Sequence, residues 1–208
     1  MTDWRAWHEG YDDPDSPLSV RLRAVQDEIR AFLATAPAGP VRVASACSGL
    51  GLDLLGALDG HPRRGDVTGR LVELDPELVA RSAQLLRTAG LDGLEVVCGD
   101  AGRTEAFAPA VPVDLLLLCG VFGNVTDDDL RTTVANASRL CAPGATVIWT
   151  RHRRAPDLTP TIREWWREAG FEELSFVSPG PDSPSVGVCR LVAEPLPFAP
   201  LHLFSFVS

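Results

Sequence analysis

The sequence predicts an open, doubly wound α/β fold on a mostly parallel sheet of seven strands, with an antiparallel last strand. Three observations carry this reading. Strand-like and helix-like segments alternate from Val41 onward with short breaks between them. Val113 to Cys119 is a nearly unbroken apolar run, as a central parallel strand buried on both faces requires. The turn Cys47-Ser48-Gly49-Leu50-Gly51 leads straight from a strand into a helix, and its glycines let backbone approach a ligand closely.

The elements follow in order. Between Pro17 and Thr35, residues Leu18, Leu22, Val25, Ile29, Phe32 and Leu33 recur at steps of three and four, which places them on one face of an amphipathic helix. Ala36-Pro37-Ala38-Gly39-Pro40 ends it. Val41 to Ala46 reads as the first strand, Gly51 to Leu58 as a helix and Gly69 to Leu74 as the second strand. Asp75-Pro76-Glu77 supplies an N-cap, a proline at the first helical position and an acid in the first turn of a helix that runs to Ala89. Leu94 to Cys98 and Val113 to Cys119 are the third and fourth strands. Thr126 with Asp129 makes a capping-box start for a helix ending near Arg139, and Ala145 to Thr150 is the fifth strand. A helix from Thr159 to Ala169 precedes an antiparallel pair, Glu173 to Val177 and Val186 to Val192, around Pro179-Gly180-Pro181-Asp182.

At 208 residues the chain has the length of one α/β domain, with residues 1–40 forming an N-terminal segment and helix and residues 41–208 the core. Hydrophobic residues at 45% and charged residues at 23% exclude a disordered or membrane class. No segment approaches the ~18 apolar residues that cross a bilayer, so a membrane is not an expected partner. Met1-Thr2-Asp3-Trp4-Arg5 lacks the order of a signal peptide, and a cytoplasmic location is expected. The odd number of cysteines, Cys47, Cys98, Cys119, Cys141 and Cys189, and their wide spacing predict reduced core thiols rather than disulfides or a metal site. A net charge of −9 opposes a nucleic-acid partner. Every basic residue is arginine, which excludes chemistry through a lysine Schiff base.

In doubly wound sheets ligands bind beyond the carboxyl ends of the strands. A dinucleotide fingerprint would need a third glycine at position 54, where Leu54 stands, and this argues against a nicotinamide or flavin cofactor. Glu73, at the tip of the second strand, can accept hydrogen bonds from both hydroxyls of a ribose. Asp100, at the tip of the third strand, can accept one from an adenine amino group.

This combination resembles the class I S-adenosylmethionine-dependent methyltransferases, and the resemblance covers about Val41 to Val192. The family's glycine motif, an acid followed by alternating glycines, falls on Ser45, Cys47, Gly49 and Gly51, while Glu73 and Asp100 match its ribose and adenine acids. Ser45 stands where the family has an acid and Cys47 where it has its first glycine. The resemblance implies a Rossmann-like methyltransferase fold, S-adenosylmethionine as cofactor, and methyl transfer to oxygen or nitrogen of a small-molecule acceptor. The implied donor site comprises Ser45, Cys47, Ser48, Gly49, Gly51, Glu73, Leu74, Asp75, Asp100, Ala101, Cys119, Gly120 and Val121.

Cys119 to Val125 resembles the family segment that lines the donor's methionine half and faces the acceptor. There Phe122 packs on adenine or substrate or belongs to the core, and Asn124 is an acceptor contact or a turn residue. In Thr150-Arg151-His152-Arg153-Arg154, Arg151 or His152 contacts an acidic group of the acceptor, or His152 serves as a base that removes the acceptor proton, or the loop is merely solvated and basic. Elements ahead of the first strand commonly cover the donor in this family. Trp7, His8, Tyr11 and Arg21 are thus expected in a helical lid, with Arg21 meeting the donor carboxylate, or in an aromatic strap on the sheet edge. The alternatives are a chain that binds the cofactor without methylating, and a methyltransferase for RNA or protein. The acidic balance, the single basic cluster at Arg151 to Arg154 and the lack of an Asn-Pro-Pro-Tyr-like segment argue against the nucleic-acid reading.

Overall fold

In the computed structural model, which describes residues 13–178 and 184–207, seven strands form one sheet. They are β1 (Val41–Ala46), β2 (Val67–Glu73), β3 (Leu94–Cys98), β4 (Val113–Leu118), β5 (Cys141–Arg151), β6 (Phe171–Val177) and β7 (Ser185–Leu191). Their order is β3-β2-β1-β4-β5-β7-β6. The pairs from β3 through β5 are parallel, and β7 runs antiparallel to both β5 and β6. Strand order reverses between β1 and β4, so the crevice beyond their carboxyl ends is the place where such a sheet binds ligands.

Helices cover both faces. On one lie α1 (Pro17–Thr35), α2 (Leu52–Leu58) and α3 (Pro76–Thr88); on the other lie α4 (Asp127–Asn136) and α5 (Thr159–Glu168). The apolar run of β4 serves both layers because successive strand residues point to opposite faces. Leu115 and Leu117 enter the core beneath α1 and α2, while Leu116 and Leu118 enter the one beneath α4 and α5. No helix among the described residues is long and apolar enough to cross a membrane.

The buried ridge of α1 differs from the expected stripe at its N-terminal end. Val25, Ile29 and Leu33 are at most 1% exposed, but Leu18, Leu22 and Phe32 are only partly buried. The row facing the sheet is one i, i+4 line, and its next member is Arg21, 4% exposed. α1 is consequently a layer helix that delivers one arginine to the sheet's carboxyl edge. Its last carbonyls are closed by Arg63, whose guanidinium donates to Ala36, Pro37 and Gly39 oxygens at 2.8 Å and to Leu33 oxygen at 3.0 Å. Trp7, His8 and Tyr11 lie outside the described residues.

Several boundaries shift for local reasons. β5 begins at Cys141 rather than Ala145 because Cys141 pairs with Val113, and a register shift then absorbs Pro143-Gly144 before Thr146 meets Leu115. β6 begins at Phe171, paired with Leu191. α4 stops at Asn136 and tightens into a 3-10 turn, Ala137–Arg139. Thr126 Oγ1 caps α4 by accepting the Asp129 N–H at 3.1 Å, while the Asp129 carboxylate accepts the Ser205 N–H instead of returning to the cap. That contact belongs to the C-terminal segment after β7, which carries no periodic signal in the sequence. It crosses to the carboxyl ends of β3 and β4, where Leu203 and Phe204 are buried and isolated bridges join His202 to Arg103 and Phe206 to Val125.

Candidate ligand-binding site

A cavity of about 460 Å³ opens at the reversal point between β1 and β4. Its floor is the turn after β1, with Cys47, Ser48 and Gly49. The loops after β2 and β3 contribute Glu73, Leu74 and Asp75, then Gly99, Asp100 and Ala101. Cys119 and Gly120 follow β4, and Phe204, Ser205 and Phe206 complete the lining from the segment after β7. Among the described residues no cluster of His, Cys, Asp and Glu is arranged to hold a metal ion.

The turn is left-handed at alternate residues: φ is 51° at Cys47, 54° at Gly49 and 72° at Gly51. Glycine adopts such angles freely, whereas at Cys47 the conformation costs about 1 kcal/mol. Gly51 must also be small, because a Cβ there would lie 2.9 Å from Leu71 Cδ2. The turn is held by its own bonds: Ser48 N–H donates to Val72 oxygen at 3.1 Å and Gly51 N–H to Ser48 oxygen at 2.8 Å. Burial first, then the charges of Glu73 and Asp100, hold the Cys47 thiol above its ordinary pKa. Burial does the same to Cys119. Both residues line the cavity, and the Cys119 thiol donates to the Ile148 carbonyl at 3.9 Å.

Glu73 joins two strand tips. Its Oε2 accepts the Gly49 N–H at 2.8 Å, and its Oε1 accepts those of Leu74 and Asp75 at 2.9 and 3.0 Å. Asp75 is the N-cap of α3, accepting the Glu77 N–H at 2.8 Å, and also lines the cavity. Asp100 Oδ1 accepts the Gly102 N–H at 2.8 Å, and its other oxygen lies 3.7 Å from the Arg103 guanidinium.

The sequence reading missed Asp53, in the first turn of α2. Asp53 lines the cavity with Arg21, and its Oδ1 is buried with no hydrogen-bond partner among the described residues. Burial raises its pKa and the Arg21 charge opposes the rise, so a cation and an anion face one corner of the cavity. The signal was present in the sequence. Asp53 precedes the buried Ala57 by one helical i, i+4 step, so it shares the inward row.

No protein-family model matches the sequence, and no curated protein is similar to it. Solved structures are similar in fold. Magnesium protoporphyrin IX methyltransferase from Synechocystis PCC 6803, solved with bound SAH, superposes with a TM-score of 0.69 at 12% identity, covering 90% of this chain and 93% of that one. The chain has the Rossmann-like methyltransferase fold. An O-methyltransferase family protein from Burkholderia thailandensis superposes with a TM-score of 0.63 at 18% identity over 84% of this chain, which spans only 57% of that protein's length. The [4+2]-cyclase SpnF shares the fold as well, with a TM-score of 0.62 at 16% identity and coverage of 88% of this chain and 83% of that one.

Within this methyltransferase fold several expected site residues stand behind the wall rather than on it. Ser45 is 4% exposed in mid-sheet, paired with Leu71 and Leu117, and Val121 is fully buried. Phe122 is also fully buried, its ring 5.8 Å from Trp149 and 6.3 Å from Trp166, so it belongs to the core and not to an adenine or acceptor contact. Asn124 is a turn residue whose side chain donates to Gly120 oxygen at 2.7 Å. Arg151 donates to the Phe122 carbonyl. His152 packs beside Gly123, off the cavity wall, with Nδ1 buried.

Proposed function

We propose that the chain binds S-adenosylmethionine and transfers its methyl group to oxygen or nitrogen of a small-molecule acceptor in the cytoplasm. One observation carries the reading: a single cavity presents Arg21 with Asp53, Glu73, and Asp100 on different walls. An amino-acid zwitterion takes a cation and an anion, a ribose diol takes a carboxylate acceptor, and an adenine amino group takes a second acceptor. The cofactor carries those three groups, and when bound it supplies a methyl group on a sulfonium that is already a good leaving group. The buried Oδ1 of Asp53, unpartnered among the described residues, fits the ammonium end.

The chain's own residues then hold and align. Arg21 receives the carboxylate end and Glu73 the ribose, from a carboxylate fixed by three backbone N–H groups. Cys47 and Cys119, held as neutral thiols by burial, would not compete as thiolate nucleophiles for the methyl group when the cofactor is bound. Alignment of two bound reactants accounts for much of the acceleration such a displacement needs. The net charge of −9 favours a small acceptor over a polyanion, as does the fold's use by an enzyme named for magnesium protoporphyrin IX. Five free cysteines suit a reducing compartment.

A second reading keeps the cofactor but not the transfer. Cys47 in a glycine's conformation and a [4+2]-cyclase of the same fold favour it. Mass spectrometry of ligand released from purified protein tests the cofactor, and a tritiated-methyl screen against acidic and aromatic metabolites tests the transfer. Release of a nicotinamide cofactor overturns the proposal; cofactor without transfer to any acceptor supports the second reading.

A further inference from the structure

One wall of the cavity that holds Asp100 is made by residues 204–206. Residues 199–207 are fastened along their length to the segments after β3 and β4 and to the first turn of α4. Thr104 Oγ1 accepts the Leu201 N–H at 2.9 Å and donates to Ala199 oxygen at 2.8 Å. Leu203 N–H donates to Gly102 oxygen at 2.6 Å, Ser205 N–H to Asp129 Oδ2 at 3.2 Å, and Val207 N–H to Asn124 oxygen at 2.8 Å. Gly102 is the point of closest approach, where a Cβ would come within 2.1 Å of the Phe204 carbonyl oxygen. The same residue's N–H binds Asp100 Oδ1. Gly102 thus couples the segment, through its carbonyl, to the carboxylate, through its amide.

Two phenylalanines of this segment are among the residues that line the cavity. Phe204, 3% exposed, is anchored in the core, and Phe206, partly exposed, stacks on it at 6.0 Å with 27° between the planes. An aromatic ring and an acceptor carboxylate lining one cavity together suit a planar heteroaromatic base that bears an amino group. We infer that residues 201–207 form a C-terminal strap that recognises the ligand's base, with Phe206 as the stacking face, Phe204 as its backing, and Gly102 tying strap position to Asp100. The identity of the base as adenine rests on the cofactor reading above; the stacking role does not.

By linkage, a ligand that needs the docked strap also stabilises it. Calorimetric titration with adenosine and with S-adenosylhomocysteine is compared for the wild-type chain, Phe206→Ala and Phe206→Trp. Phe206→Ala is expected to bind both about tenfold more weakly, the scale of one lost base–aromatic stack, and Phe206→Trp to restore wild-type affinity. Phe206→Ala affinities within twofold of wild type overturn the inference alone. Wild-type binding of adenosine without S-adenosylhomocysteine, weakened by Phe206→Ala, overturns the cofactor reading and supports the inference; wild-type binding of neither overturns both. Should Phe206→Ala fail to fold, amide exchange of the wild-type strap decides. Slower exchange at Leu203, Ser205 and Val207 on adding S-adenosylhomocysteine is expected, and unchanged exchange refutes the strap's role.

Discussion

In a Glu73→Gln protein, the carboxylate that ties three backbone amides together becomes an amide with one acceptor oxygen. Oε2 now takes the Gly49 N–H at 2.8 Å, and Oε1 takes those of Leu74 and Asp75 at 2.9 and 3.0 Å. A carboxylate offers about four lone-pair sites, so these bonds leave room for about one ligand hydroxyl. Glutamine keeps its oxygen best on the Leu74 and Asp75 side, which turns its –NH2 toward the Gly49 N–H. One charge-assisted bond is then lost and two become neutral, a cost of about 2–3 kcal/mol. For a chain of this size that lowers Tm by about 4–12 °C. Loss of a hydroxyl's bond to a charged acceptor costs a further 1.5–3 kcal/mol or so in binding, a Kd weaker by about 10–150-fold. Thermal unfolding without ligand measures the first effect, and calorimetric titration with S-adenosylhomocysteine well below Tm measures the second. A lower Tm with Kd within twofold of wild type would refute the ribose role. A weaker Kd with an unchanged Tm would refute the tie between the glycine turn and the β2 tip.

Two further substitutions separate roles that share the cavity region. Burial holds the Asp53 pKa above its usual 3.8, so the folded state binds that proton more tightly than the unfolded chain does. The resulting stabilisation is complete below 3.8 and is lost as pH rises through the folded value. Urea unfolding from about pH 4 to 8 should therefore show wild-type stability falling relative to Asp53→Asn, and a pH-independent difference would count against a buried Asp53. Burial, with Arg151 and Arg154, lowers the His152 pKa, so its imidazole is neutral near pH 7, yet it stands off the cavity wall. His152→Gln should keep the wild-type pH profile of kcat/KM; loss of its acid limb would instead assign His152 to proton transfer.

Much of the fold and part of the site were legible because their signals are local. Alternating apolar segments mark β1 to β5 and the helices between them, and the parallel arrangement places Glu73 and Asp100 at neighbouring strand tips. Residue type then states the chemistry, since a carboxylate at a tip is an acceptor wherever its neighbours lie. The glycine turn is local too, for Gly49 and Gly51 take left-handed angles that the chain needs at that step. Cys47 shows the limit of such reading: its identity argued against the motif, yet its backbone keeps the glycine's conformation.

Other features depended on which distant parts of the chain meet. Phe122 reads the same in a core as on a pocket wall, and its burial against Trp149 and Trp166 comes from the packing of β5 and α5. Arg21 and Asp53 each sit on an inward helical row, but their meeting at one corner depends on how α1 and α2 cross the sheet. The C-terminal strap has no period of its own, and its hydrogen bonds run to Gly102, Thr104, Asn124 and Asp129, far away in sequence. The sequence by itself thus determined the sheet, the turn and the two acids, because periodicity and residue chemistry act over a few neighbours. Only the tertiary structure decided the charged corner, the buried phenylalanine and the aromatic wall, because those depend on contacts that close long loops.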